Sequence, residues 1–101
     1  MQASNARVQE DGLFARLTID NQEHELDLDL LILLYSDKCA ETVEQMKLHS
    51  AGFSEIHLSD GHYDIWVSDE LRNIVLSDKL SDLMRAIEPV FKEMHKRYLA
   101  L

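Results

Sequence analysis

The residues best equipped for chemistry lie in the stretch Phe53-Ser-Glu-Ile-His-Leu-Ser-Asp-Gly-His-Tyr-Asp-Ile-Trp-Val67. Folded as a β-hairpin, it sets His57 beside Asp64, a pairing that could raise the imidazole pKa and fix its tautomer. His62 and Asp60 at the tip extend the group towards a metal site. Metal ligands normally come from several elements, and a hairpin tip is open to water. A solvated pair worth only ~0.2–1 kcal/mol is therefore expected, and no metal. Cys39 would stand in the first turn of a helix, where the dipole favours a thiolate. No histidine is close to it in sequence to act as base, and its place on a stripe with Val43 and Met46 predicts a buried structural thiol. Asp27 and Asp29 share one strand face and suggest paired carboxylates, but Arg16 opposite Asp27 neutralises part of that charge. Glycine-rich phosphate loops, CxxC pairs, HExxH and GxSxG are absent. No catalytic residue and no cofactor is expected.

What remains is the pair of aromatics, Phe53 and Trp66. Asp60-Gly61 is the strongest two-residue hairpin signal, because a type I′ turn needs positive φ at both central residues. That turn pairs His57 with Asp64, Ile56 with Ile65 and Glu55 with Trp66. Alternation then gives Ile56, Leu58, Tyr63, Ile65 and Val67 one face. The other carries Phe53, Glu55, His57, Asp64 and Trp66, a polar face with two large aromatics, which either a helix of the chain or a partner must cover.

These residues need elements to hold them. Residues 1–11 show no periodicity and are expected to be flexible, leaving 12–101 as a single α+β domain. Leu13 to Leu30 reads as a first hairpin turning at Asn21-Gln22, with Leu17 opposite Leu26 and Arg16 opposite Asp27. Its second strand presents an acidic face of Glu25, Asp27 and Asp29. Leu30 to Tyr35 fits either a strand or a helix; the strand is favoured to Leu34, followed by a helix capped by Ser36 or Asp37 and stopped near Ser50 by Gly52. Leu71–Leu76 is read as a strand rather than a short helix, for its Ile74-Val75 pair. Leu80, Leu83, Met84, Ile87, Phe91, Met94, Tyr98 and Leu101 form the stripe of a last helix, capped by Ser77 or Asp78 and kinked or broken at Pro89. The order is β-β-α-β-β-(β)-α: an antiparallel sheet of four to five strands built from two hairpins, with two helices. The two hairpin–helix halves look alike in pattern, but no internal repeat is evident.

Composition sets the class. The chain has 101 residues, 46% of them hydrophobic, and a net charge of −9. This length supports one core without disulfide or metal. The charge opposes binding to nucleic acid or anionic lipid. The apolar run Leu30–Tyr35 is far too short to span a membrane, no signal-peptide core is present, and the single cysteine fits a reducing compartment, so the cytoplasm is expected. The acids crowd Asp20–Asp29, whereas bases outnumber acids from Met84 onward.

These features predict a non-enzymatic acidic interaction module, dimeric, binding a protein partner of basic character. Immunity proteins and nucleic-acid mimics neutralise basic partners in this way. From Leu13 to Tyr98 the order of elements is also loosely similar to that of the small acidic chaperones of bacterial type III secretion, although the helix that opens those proteins is missing. That resemblance implies a chaperone or adaptor role. The alternative is a small-ligand or enzymatic domain with a pocket between sheet and helices, using His57, Asp64 or Cys39.

Overall fold

In the computed structural model, which describes residues 1–10 and 12–94, the chain opens with strand β1 (Ala3–Val8), not with the loose segment expected there. β1 runs antiparallel to β2 (Phe14–Ile19), which pairs with β3 (Gln22–Asp27). A second hairpin joins β4 (Gly52–Leu58) to β5 (Gly61–Val67). Among the described residues the expected single sheet is thus two antiparallel sheets, one of three strands and one of two. Both hairpins turn one residue earlier than the sequence suggested. The first turns at Asp20-Asn21, which take φ of 49° and 70°, a left-handed conformation that short polar side chains tolerate. The second turns at Ser59-Asp60, and positive φ falls on Gly61 alone. Each strand keeps its own alternation, so the faces survive this shift while the cross-strand pairs change.

Among the described residues, four helices replace the expected two: α1 (Leu28–Leu34), α2 (Cys39–Met46), α3 (Asp69–Val75) and α4 (Leu80–Met94). The ambiguous run is α1, not a strand. Asp27 caps it by accepting the Asp29 N–H at 2.9 Å, and Leu28, Leu30, Leu31, Leu33 and Leu34 are all buried. A helix apolar on nearly every side lies inside the core, which is why its sequence lacked an amphipathic period. Leu71–Leu76 also falls in a helix up to Val75: Ser68 accepts the Leu71 N–H, and the i, i+4 pair Leu71 and Val75 is buried. α2 ends at Met46, and Gly52, with φ of 109°, begins β4 instead of stopping a helix. Neither Ser36 nor Asp37 caps α2, which starts from Lys38 without a side-chain cap. α4 runs through Pro89 unbroken; that residue is exposed, so the carbonyl it leaves unpaired can reach water. Tyr98 and Leu101 of its predicted stripe lie outside the described residues. No described helix is long and apolar enough to cross a membrane.

The chain repeats one order of elements, β-β-α-α: β2, β3, α1 and α2 are followed by β4, β5, α3 and α4. Phe14–Ile19 corresponds to Phe53–Leu58, and α1 with α2 corresponds to α3 with α4. The link between the paired helices is the same Ser-Asp-Lys in both halves. Ser36 Oγ donates to Leu33 O at 2.8 Å and accepts the Lys38 N–H at 3.0 Å; Ser77 Oγ donates to Ile74 O at 2.8 Å and accepts the Lys79 N–H at 3.1 Å. Core positions correspond too: Leu17 with Ile56, Leu26 with Ile65, Leu30 with Leu71, Leu34 with Val75, and Thr42 with Leu83, every one buried. Tyr35, at the end of α1, ties the halves together by stacking on Phe91 of α4 and donating to Met84 O.

Asp27 carries a second bond, accepting the Trp66 N–H at 2.9 Å, so it joins both sheets as well as capping α1. Asp27→Ala is expected to lower unfolding stability by about 1–3 kcal/mol in urea titration at neutral pH. Asp29→Asn is expected to stay within about 0.5 kcal/mol of wild type or to stabilise, because burial and the Asp27 charge already disfavour an ionised Asp29.

Candidate functional site

The outer face of β4–β5 gathers all five residues predicted to bind a partner. Phe53 is 85% exposed, and Glu55, His57 and Asp64 are exposed. Trp66 is half-buried. Its cover is a phenylalanine from the other sheet: the ring of Phe14 meets the indole edge-on, with centroids 6.1 Å apart and planes at 82°. Phe53 lies directly across the ladder from Trp66, where a diagonal neighbour was expected. Phe14, Trp66 and Phe53 therefore run as an aromatic strip over the seam between the sheets. Sequence reasoning missed Phe14. Its only signal was its match to Phe53 in the repeat.

The His57–Asp64 pair does not form. With the turn one residue earlier, His57 faces His62, their rings 6.0 Å apart, and Asp64 faces Glu55. His57 Nε2 instead lies 3.2 Å from Glu55 Oε1 on the same strand, an exposed contact of little energetic weight. Among the described residues, no group of three or more His, Cys, Asp or Glu side chains is placed to hold a metal ion. Cys39 is half-buried, and burial pushes its thiol up, away from the thiolate a nucleophile needs.

The predicted acidic face separates into different roles. Asp27 is occupied by its two backbone bonds, and the expected Arg16–Asp27 pair is absent. Arg16 bridges Glu25 and Glu23, each at 3.2 Å, and Arg7 of β1 reaches Glu23 at 2.8 Å. Glu25 also accepts from Gln9. Glu23, which the sequence reading left out of this face, is the centre of the network. The Arg7 hydrogen bond is the main cause holding its carboxyl below the usual range. Asp29 is exposed, and partial desolvation and then the Asp27 charge hold it above that range.

A void of about 10 Å³ lies between the second hairpin and the helices, lined by Met46, Ile56, Ile65, Val67 and Arg72 among others. That is room for roughly one water, not for a ligand. Arg72 closes one side of it, donating to His49 O at 2.9 Å and Met46 O at 3.3 Å at the end of α2. A shallower groove runs between α2 and the β4 edge, lined by Ala40, Glu41, Glu44, Gln45, His57 and Leu58, with Ser59 at its end. Lys38 Nζ donates to Ser59 Oγ at 2.8 Å, and Ser59 Oγ donates to Glu41 at 3.1 Å, fixing the hairpin tip against α2.

Two measurements check this geometry. Trp66→Ala is expected to cost about 1–3 kcal/mol in urea unfolding through the lost Phe14 contact, whereas Phe53→Ala should fall within about 0.5 kcal/mol. Glu23 should titrate below its ordinary value of 4.5, with Arg7→Ala raising the midpoint measured by NMR. A depressed carboxylate contributes stability above its unfolded pKa and loses it as pH falls through the folded value. In comparisons with known proteins, no family model, no curated protein and no solved structure matches this chain.

Proposed function

We propose that this chain is a non-enzymatic interaction module that binds a basic protein partner through the outer face of β4–β5. The observation that carries the reading is Phe53, 85% exposed directly opposite the half-buried Trp66. Burying such a ring in an interface is worth about 1.5–3 kcal/mol. Tryptophan and phenylalanine flanked by charged residues suit a central anchor with a polar rim. Glu55 and Asp64 supply negative charge beside the anchor, in a chain of net charge −9.

That charge also bears on the homodimer expected from the sequence. Two copies would bring faces of the same sign together, so a different, basic protein is the preferred partner. An inhibitor of the immunity type and a chaperone or adaptor are the two roles that fit. The ligand-pocket alternative has less support, since the void between sheet and helices holds about one water. A half-buried, protonated Cys39 suits the cytoplasm.

The test is capture of bound protein from host lysate with immobilised wild-type chain, Phe53→Ala, and Leu48→Ala as a control at another exposed apolar position, 73% exposed. The expected outcome is a partner retained by wild type and Leu48→Ala, with Phe53→Ala weakening it about tenfold. Equal retention by all three chains, or none by wild type, overturns the reading.

A further inference from the structure

We infer that the open edge of β4 takes one extended, basic segment of a partner protein, which adds to it as an antiparallel strand. The inference rests on the interaction reading above and names the form the partner presents.

The internal repeat supplies the argument. β2 corresponds to β4, and β2 is paired on both sides. Towards β1 its partners are Thr18 with Ser4, Arg16 with Arg7 and Ala15 with Val8, and Phe14 O accepts from the Gln9 N–H at 2.9 Å. β4 has β5 as its only ladder partner among the described residues. Trp66 spends its N–H on Asp27, so the Phe53–Trp66 pair is not hydrogen-bonded across the hairpin. Alternation then aims the backbone groups of Phe53, Glu55 and His57 away from β5. These are the counterparts of Phe14, Arg16 and Thr18, and no backbone bond from another described element reaches them. All three residues are exposed. In the first half, β1 also packs against α4. In the second half α2 packs directly against β4, and the groove left between them is walled by Glu41 and Glu44.

Charge selects the occupant. β1 brings Arg7 opposite Arg16 and within 2.8 Å of Glu23. In the second half Glu55 stands for Arg16 and Asp64 for Glu25. The only ion pair of Glu55 among the described residues is with His57, and none is found for Asp64. A lysine or arginine opposite Glu55 satisfies both carboxylates. An apolar residue two positions further on covers Phe53. A second copy is the poorer occupant, because antiparallel β4–β4 pairing about a dyad at Glu55 sets that carboxylate against its own copy. β4 contains no proline and no lysine, two of the residues that keep a sheet edge from pairing. Strand addition gives affinity through backbone bonds and specificity through alternate side chains.

The probe is a capped heptapeptide alternating valine and arginine, titrated into the full chain while the emission of its single tryptophan and the backbone amide shifts are followed. Saturable binding is expected, with the largest shifts at Phe53, Glu55 and His57. A twin peptide N-methylated on alternate amides along one edge, tested in both registers, should bind about tenfold more weakly in one of them. His57→Pro removes one outward N–H and spares the hairpin ladder, and Glu55→Lys reverses the local charge. Each should weaken binding about tenfold while circular dichroism stays native. Equal binding by both methylated twins, by both variants, or by a valine–glutamate peptide overturns the strand-addition inference. So does the absence of any peptide binding, or a dimer in sedimentation whose contacts shift the same β4 amides. Loss of capture by Phe53→Ala in that case still supports the interaction reading, so the two ideas fail separately.

Discussion

The carboxylate of Asp27 is the constraint from which the arrangement of the two sheets follows. One oxygen takes the Asp29 N–H and the other the Trp66 N–H, both at 2.9 Å. Bonds to an ionised acceptor are the stronger kind, and these two meet where β3 ends, α1 begins and β5 passes. With the Trp66 backbone held there, its indole projects to the outer face against Phe14. The same bond agrees with the register of the hairpin, whose turn at Ser59-Asp60 sets which groups face the ladder and which face outward.

Around that joint the two halves repeat one design and then diverge. Both bury equivalent aliphatic residues, and both use a serine in the Ser-Asp-Lys link to bond the preceding helix and the following backbone. The first half carries an extra strand; its Arg7, with Gln9 just beyond its end, satisfies Glu23 and Glu25. The second half has the acids and the open edge without the strand. Buried apolar layers are costly to change, because a void of even one methyl group is felt. Exposed edges are free to diverge, and there the halves differ most.

Chemistry that looked possible along the sequence dissolved for geometric reasons. A pairing of His57 with Asp64 depended on a turn at Asp60-Gly61. Placing the turn at Ser59-Asp60 faced His57 with His62 and Asp64 with Glu55. A turn at Asn21-Gln22 put Arg16 opposite Asp27, but the same kind of shift gave it Glu25 and Glu23. Cys39, expected to be buried on its helical stripe, is half-buried, and desolvation pushes its thiol up.

Alternation along single strands was enough to place Phe53, Glu55, His57, Asp64 and Trp66 together on the outer face of β4–β5, because that pattern depends on one strand alone. Net charge and the apolar stripe of α4 were equally plain. Cross-strand pairing was not, since Asp-Gly and Asn-Gln signal a turn without fixing which residues sit at its centre. Leu30–Tyr35 could not be told from a strand because a short apolar run carries too few polar residues to mark its period. Leu71–Val75 misled through β-propensity, which a serine cap and tertiary packing override. The sequence by itself determined which side chains face out and the sign of their charge. Only the tertiary structure decided that Phe14 covers Trp66, that β1 pairs with the far side of β2 and that β4 has no second ladder partner among the described residues. Those outcomes depend on contacts between residues far apart in the chain, which no local pattern encodes.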